Sequence, residues 1–330
     1  MIIGKFLKGQ GLGNQLWNYA ALRSIAEHHG QDFYFYGGDQ FKANDFLKFP
    51  MTSLVGYDFP KDKSPVIEDV FHEAIFYDSE LNYYSSGFDA SVNYLSGNVY
   101  CQGLFQSEKY FFDNNARIKK YFDLDKAVIN NNSVSSNVCV INLRGGEYKR
   151  HKDFILPMSY WMNAIAEMNR RHEGLEYIVV TDDFRYAKSM FPKLKVVYGS
   201  IANCYATIYN SRYVICSNST FSYFPIKTSR LVKTVIAPKY WARFNDSSNR
   251  WASPANLYSN WLWADRNGEI SSSEDCLDEC ATLEHEYITT YTVRVPPNSL
   301  EPFSFRRFIP ESMKFKIKKI LSLLLPKHFG

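Results

Sequence analysis

Short apolar runs alternate with helix-like segments through the second half of the chain. One such segment has an apolar stripe at helical spacing, formed by Met158, Trp161, Met162, Ile165 and Met168. Strands that alternate with helices are typical of parallel βαβ units, so the pattern predicts an α/β fold with a doubly wound sheet. The predicted strands are SNVCVINL (136–143), LEYIVVTD (175–182), KVVY (195–198), RYVICS (212–217) and TVIAP (234–238).

The first half begins with a predicted strand at residues 1–7, a glycine turn and a helix. In the turn, Gly9, Gly11 and Gly13 occupy alternate positions, and apolar residues at helical spacing predict a helix from Asn14 onward. Further predicted strands are DFYFY (32–36) and NVYCQGLF (98–105).

The glycine turn has two interpretations. It delivers a helix N-terminus with free N–H groups to the end of a strand, which suits an anion such as phosphate. Glycine also serves strand-to-helix turns that bind nothing. The spacing departs from the Gly-x-Gly-x-x-Gly dinucleotide fingerprint, because Asn14 stands where its last glycine would be, and this argues against a dehydrogenase.

A polar break, NNNSVSSN (130–137), predicts a domain boundary. We expect a Rossmann-like domain over residues 1–132, on the acceptor side, and a second over 133–240, on the nucleotide side. Residues 241–312, which contain four tryptophans without a clear period, are expected to wrap onto both domains. The loops after the predicted strands, opening at Asn142, Thr181 and Ser217, should face one cleft.

The positive charge belongs to the C-terminal tail. The formal net charge is +4, but residues 306–330 contain seven Lys or Arg and one acidic residue. The body of the chain, residues 1–305, therefore has a net charge near −2. Charge therefore excludes the body as a nucleic-acid binder. Residues 313–330 form a basic amphipathic pattern, ended by Pro326, that fits either a helix in a membrane interface or a terminal helix docked on the protein.

The six cysteines fit buried free thiols in a reducing compartment. Cys276 and Cys280, near His285, raise zinc as an alternative, but their separation is not the usual Cys-x-x-Cys and no second pair accompanies them. We expect no metal, no signal peptide and no membrane span, and hence a cytoplasmic protein.

Four loops are rich in groups that bind phosphate or sugar. They are GLGNQ (11–15), NLRGGEY (142–148), VTDD (180–183) and SNSTFS (217–222). The polar residues of the last two loops also suit helix N-caps. Arg144 is different, because an Arg beside glycines at the end of an apolar strand suits bidentate binding of a diphosphate.

Four motifs in this order resemble the α-1,2-fucosyltransferases of glycosyltransferase family 11: GLGNQLWNYA, LFQSEKYF (104–111), NLRGGEY and SNSTFSYF (217–224). The resemblance spans residue 4 to about 245. It implies a GT-B fold with two Rossmann-type domains facing a cleft, a sugar nucleotide such as GDP-fucose as donor substrate, inversion at the anomeric carbon, and no metal or other cofactor. Gly11, Gly13 and Asn14 would then lie against the donor pyrophosphate.

The arginine motif departs from the family. His-x-Arg-Arg-Gly-Asp-Tyr reads here Asn142-Leu143-Arg144-Gly145-Gly146-Glu147-Tyr148, so the His and the second Arg are absent. Arg144 can still hold the β-phosphate, and Gly145 is expected to leave space where a cation would have been. The predicted catalytic residues are Arg144, Glu147 and Asn14, with Asp182 and Asp183 as further candidates for the general base.

The full predicted nucleotide-sugar site follows the four loops. It comprises Gly11, Gly13, Asn14, Gln15, Asn142, Arg144, Gly145, Thr181, Asp182, Asp183, Ser217, Asn218, Ser219, Thr220, Phe221 and Ser222.

The resemblance favours an inverting fucosyltransferase that acts on a glycan or lipid-linked oligosaccharide in bacterial surface polysaccharide synthesis. The altered motif keeps two alternatives open, a transferase with another donor sugar and a relative that binds nucleotide or glycan without turnover. If residues 313–330 bind a membrane, the protein would be peripheral on the inner face of the cytoplasmic membrane.

Overall fold

Two mainly parallel β-sheets organise the chain, which confirms the predicted α/β class. The computed structural model describes residues 1–49, 55–57, 65–78, 83–112 and 115–294. The predicted C-terminal helix, 313–330, and the last part of the predicted wrapping segment lie outside these residues.

The first sheet is parallel throughout and has the strand order β4-β2-β1-β8-β5. Its strands are β1 (Ile2–Lys5), β2 (Phe33–Tyr36), β4 (Val55–Tyr57), β5 (Asp69–His72) and β8 (Val99–Gln102). Two small antiparallel sheets flank it, one made of β3 (Leu47–Lys48) and β9 (Asp123–Leu124), the other of β6 (Ala74–Asp78), β7 (Tyr83–Ser86) and β17 (Thr292–Arg294).

The second sheet has the order β12-β11-β10-β13-β14-β15-β16 and contains all five strands predicted for the second half. Its strands are β10 (Val138–Leu143), β11 (Glu176–Thr181), β12 (Lys195–Val197), β13 (Tyr213–Cys216), β14 (Thr234–Pro238), β15 (Leu262–Ala264) and β16 (Ile270–Ser272). Strands β15 and β16 lie in the segment expected only to wrap. They extend the sheet because β15 pairs in parallel with β14 and β16 folds back on it.

The helices cover the sheets and connect their strands. They are α1 (Leu12–His29), α2 (Asn115–Ile118), α3 (Lys126–Asn131), α4 (Met158–Arg171), α5 (Phe184–Met190), α6 (Ile201–Tyr209), α7 (Tyr223–Thr228) and α8 (Leu277–Glu286), followed by a π-helical turn at Tyr287–Tyr291. Within the described ranges, none of these helices combines the length and apolar character that crossing a bilayer requires.

Helix α4 exists as predicted, but its buried face differs from the expected stripe. Met158 and Met162 are 38% and 53% exposed, whereas Tyr160 and Ala164 are buried beside Trp161 and Met168. The buried set follows a 160, 164, 168 ladder at i+4 spacing, in which the Tyr160 hydroxyl donates to the carbonyl of Cys216 at 2.5 Å. Because its hydroxyl makes a hydrogen bond, Tyr160 can be buried in the core, where the apolar pattern had predicted methionines.

An aromatic cluster joins the parts of the chain that carry the two large sheets. Trp17 of α1 lies 5.4 Å from Phe111, 4.2 Å from Tyr223 and 5.8 Å from Tyr258, measured between ring centroids. Its partners come from both sides of the polar break, so the hydrophobic core is continuous between the sheets. The packing holds α1 against α7 and Tyr258, which follow the polar break.

A buried ion pair lies beside this cluster. Glu108, from the LFQSEKYF motif, pairs with Lys227 of α7 at 2.8 Å, and each side chain is only 12% exposed. The other Glu108 oxygen accepts from the Ser259 backbone N–H at 2.8 Å. This motif therefore connects the segments before and after the polar break, which is a structural role for one of the four family-like stretches.

Candidate functional site

The candidate site lies at the point where the strand order of the second sheet reverses. Strand β10 is central: β11 and β12 follow on one side of it, and β13 and β14 follow on the other. Ligands of doubly wound sheets bind in the crevice at the carboxyl ends of such strands. Arg144 directly follows β10 and Ser217 directly follows β13, so the predicted NLRGGEY and SNSTFS loops flank this crevice.

A carboxylate holds Arg144. Its Nη1 lies 2.8 Å from Oδ2 of Asp182, and Oδ1 of the same carboxylate accepts from the Gly145 backbone N–H at 2.9 Å. The guanidinium also lies over the Tyr148 ring, 5.3 Å from its centroid. Asp182 thus fixes both the side chain of Arg144 and the backbone next to it.

The glycines after Arg144 make room for the β11–α5 loop. A Cβ at Gly145 would lie 2.6 Å from Cδ1 of Tyr186 and 2.8 Å from Cβ of Asp183, and a Cβ at Gly146 would collide with the Asp182 carboxylate. The expectation that Gly145 leaves empty space was therefore wrong. The space is filled by α5, and the glycines let Asp182 reach Arg144.

Several buried polar atoms at the crevice have no hydrogen-bond partner among the described residues. They are Oδ1 of Asn142, Nε of Arg144, Oγ of Ser217, and both amide atoms of Asn218. The Asn142, Ser217 and Asn218 side chains are at most 3% exposed. A buried unpaired polar group costs about 1–3 kcal/mol, so a cluster of them is typical of a site that binds a polar ligand.

The two aspartates proposed as bases are already bound to cations. Asp182 pairs with Arg144. Asp183 pairs with Lys149 and caps α5 by accepting from the Tyr186 N–H at 3.0 Å. The hydrogen bond from Lys149 lowers the pKa of Asp183. Each carboxylate is engaged with a cation, and this finding counts against a base role.

Glu147 and Tyr148 lie further along the same loop. Glu147 is exposed, in a 3-10 turn at Glu147–Arg150, and belongs to no hydrogen bond or ion pair among the described residues. Tyr148 donates its hydroxyl to the carbonyl of Asn218 at 3.0 Å, and burial raises its pKa. Tyr148 therefore ties the NLRGGEY loop to the SNSTFS loop across the crevice.

The N-terminal glycine turn meets the SNSTFS loop here. Helix α1 begins at Leu12, two residues before its predicted start, with Gly11 as its N-cap. Thr220 donates its hydroxyl to Oδ1 of Asn14 at 2.7 Å, and a Cβ at Gly13 would lie 2.6 Å from the Thr220 carbonyl. The close approach that Gly13 permits is thus to the SNSTFS loop. Gly11 is exposed, with open space around it.

Other predicted site residues serve their own loops. Gln15 is fully buried. Its amide donates to the Gln40 carbonyl at 2.8 Å and accepts from the Lys42 N–H at 3.0 Å, so it is not available to bind a nucleotide sugar. Thr181 accepts from the Asp183 N–H at 3.0 Å. The predicted capping role is confirmed for Asp183, which is the N-cap of α5, whereas Thr181 stabilises the turn before it.

The SNSTFS loop is also capped internally. Ser219 accepts from the Phe221 N–H at 3.3 Å, and Ser222 donates to the Ser219 carbonyl at 3.3 Å. The ring of Phe221 packs near Tyr205. These three residues shape the loop, while Ser217 and Asn218 present the unpaired polar atoms.

No metal site emerges from the part of the chain that the structure describes. Cys276 and Cys280 are buried free thiols, and no group of three or more His, Cys, Asp or Glu side chains there could hold an ion. A surface pocket of about 220 Å³ lies between α8 and residues 249–251, and none of the predicted site residues lines it. The buried polar cluster identifies the site better than this pocket does.

Comparisons with known proteins give structural neighbours only. No family model matches the chain, and no curated protein matches its sequence. The solved structures similar to it include NodZ α-1,6-fucosyltransferase soaked with GDP-fucose, with a TM-score of 0.46, 15% identity, and coverage of 75% of this chain and 96% of that one.

Two further structural neighbours have still lower sequence identity. POFUT1 in complex with GDP-fucose has a TM-score of 0.47 and 9% identity, covering 72% of this chain and 97% of that one. A family 9 glycosyl transferase from Veillonella parvula has a TM-score of 0.46 and 8% identity, covering 86% and 97%. These similarities, all with TM-scores below 0.5, assign no activity to this chain.

Proposed function

We propose that the protein is an inverting glycosyltransferase that uses a nucleotide sugar. The observation that carries this proposal is the cluster at the β10–β13 crevice, where Asp182 holds Arg144 beside the unpaired polar atoms of Asn142, Ser217 and Asn218. One fixed cation surrounded by amide and hydroxyl groups suits a diphosphate attached to a sugar.

Arg144 would act on the leaving group. When the bond between the anomeric carbon and the β-phosphate oxygen breaks, negative charge grows on the diphosphate, and a preorganised donor at that position stabilises the transition state. Nε of Arg144 is buried and has no hydrogen-bond partner among the described residues, which supports this role. We propose that the diphosphate needs no divalent metal, so activity should persist in EDTA and manganese should not raise it.

The donor and acceptor follow from the resemblance of the four motifs. We infer GDP-fucose as the donor and a glycan as the acceptor, with an α-1,2 linkage and a role in surface polysaccharide synthesis. Another donor sugar remains the alternative, because Asn142 and Gly145 replace the family's His and second Arg.

Calorimetric titration with GDP, UDP and ADP tests the nucleotide. GDP should bind, and UDP and ADP should bind at least about tenfold more weakly, a difference of about 1.4 kcal/mol. Tighter binding of UDP would identify another donor class. GDP binding without release of GDP from GDP-fucose, over a panel of methyl glycosides, would favour the non-catalytic relative.

Residues 313–330 are proposed as a peripheral membrane contact. Their basic amphipathic pattern would bring the enzyme to a lipid-linked acceptor on the cytoplasmic leaflet. The full chain should then sediment with anionic vesicles in low salt and be released as salt rises, and a chain lacking 313–330 should not. Equal sedimentation of both chains would refute the contact, and loss of folding on truncation would favour a docked helix.

A further inference from the structure

A patch of exposed apolar side chains lies at the carboxyl edge of the second sheet. Phe184 begins α5 directly after Asp183, and Tyr198 directly follows β12. The two rings are 45% and 55% exposed, and their centroids lie 6.1 Å apart. Ile201, which begins α6, is 38% exposed. Three apolar side chains at this edge are therefore open to solvent.

The strand registers place this patch beside Arg144. Leu143 is in register with Thr181, and Val180 is in register with Val197, so β10, β11 and β12 end at nearly the same level. Adjacent strands lie about 4.8 Å apart, which puts the end of β12 about 10 Å from the end of β10. The patch and the Arg144 loop are therefore neighbours along one edge of the sheet.

Contacts in the β11–α5 loop connect the patch to the cation. Asp182 pairs with Arg144 at 2.8 Å, and Asp183 caps α5 by accepting from the Tyr186 N–H at 3.0 Å. Phe184 follows these two aspartates directly. The loop that holds the guanidinium therefore also carries the first of the two exposed rings.

Aromatic residues on the other side of the crevice are buried. Tyr240 and Trp241 follow β14, and they are only 6% and 4% exposed. The ring of Tyr240 packs against Trp251, and the ring of Trp241 packs against Tyr258. A ligand held at Arg144 therefore meets exposed rings toward β12, whereas the rings toward β14 are covered.

A nucleoside diphosphate needs two subsites side by side, because its ribose separates the base from the phosphates. We propose that Phe184 and Tyr198 form the platform on which the base of the nucleotide sugar stacks, with the diphosphate at Arg144 and the ribose over the end of β11. Doubly wound sheets bind ligands outside the carboxyl ends of their strands, which is where this platform lies. The inference rests on the proposed transferase function.

The platform would supply affinity more than choice of base. Every base has a flat π-face, so stacking on aromatic side chains tolerates any of them. Removal of the platform should therefore weaken GDP, UDP and ADP together and leave their order unchanged.

Calorimetric titration of Phe184→Ala and Tyr198→Ala with GDP tests the platform. Loss of one stacked aromatic ring weakens base binding by about 5- to 150-fold, so the Kd for GDP should rise by a factor in this range. Tyr198→Phe keeps the ring and should bind GDP within about twofold of wild type. Tyr94→Ala is the matched control, because Tyr94 is 85% exposed and lies on a separate 3-10 turn, Ala90–Tyr94.

Inorganic pyrophosphate separates stacking from damage to the diphosphate site. It has no base, so its Kd should be the same in the two alanine variants and in wild type. An equal loss of affinity for pyrophosphate and for GDP would overturn the proposal, since the rings would then act on the diphosphate site.

Unchanged nucleotide binding would also overturn the proposal. This result is a Kd for GDP within about twofold of wild type in both alanine variants. If those variants also lost a dimer on gel filtration, the patch would be a contact between copies of the chain. A wild type that binds none of GDP, UDP and ADP would instead refute the proposed function itself.

Discussion

Replacing Asp182 by Asn tests whether this carboxylate acts through Arg144. Asn is the same size, and its carbonyl oxygen can still accept from the Gly145 N–H, but its amide cannot attract the guanidinium. The lost contact is the 2.8 Å charge-assisted bond to Nη1. Such bonds contribute about 1.5–3 kcal/mol, so kcat for GDP release from GDP-fucose should fall by about 10- to 100-fold.

The effect on stability should be much smaller. The Arg144 and Asp182 side chains are 27% and 28% exposed, and partly solvated ion pairs contribute at most about 1 kcal/mol. The melting temperature should therefore change by no more than about 4 °C. Glu167→Gln is a matched control, because Glu167 also pairs with arginines but belongs to α4 and pairs with Arg170 and Arg171 instead of a predicted site residue, so its kcat should equal that of wild type.

A double-mutant cycle gives the decisive comparison. If Asp182 only positions Arg144, then Asp182→Asn should slow an Arg144→Ala enzyme by less than about twofold, because the positioned group is already absent. Losses that add in full would show that Asp182 has a separate role. A fully active single variant would refute the positioning argument altogether.

Three further perturbations probe the same account. Arg144→Lys should recover little of the activity lost in Arg144→Ala, because an ammonium cannot reproduce the planar fork; kcat at saturating donor checks this. Gly145→Ala should lower the unfolding free energy by about 1–3 kcal/mol in urea, since its Cβ would lie 2.6 Å from Tyr186, and unchanged stability would contradict the close packing. Burial raises the pKa of Glu73 from 4.5 to about 7, despite four hydrogen bonds that lower it. Protonated Glu73 therefore contributes about 3 kcal/mol to the unfolding free energy. This contribution is fully present below pH 4.5 and is lost as the pH rises through 7. Glu73→Gln should lack this decline when urea unfolding is compared between about pH 5 and pH 8, and an unchanged decline would refute it.

The strands of the second sheet could be predicted because each is a short apolar run that ends in polar residues. The position of Arg144 after β10 followed from the same pattern. The partner of Arg144 could not be predicted from this pattern. The bond to Asp182 joins residues 38 positions apart and depends on the β10–β11 register. The sequence also could not show that Gly145 makes room for Tyr186, because this contact forms only when α5 packs against the loop after β10.

Other features depend on pairings that have no local signal. Strand β15 has three residues, and only its pairing with β14 places it in the sheet. The register of His72 with Gln102 comes from the pairing of β5 with β8, which are far apart in the chain.

The central claim is that Arg144 stabilises the departing diphosphate. The most direct measurement is kcat for GDP release from GDP-fucose by Arg144→Ala at saturating donor, with Glu167→Gln as control. Removal of one such donor should lower kcat by about 10²–10³-fold, or about 3–4 kcal/mol, while the melting temperature stays close to that of wild type. Turnover by Arg144→Ala at the rate of the control would contradict the account.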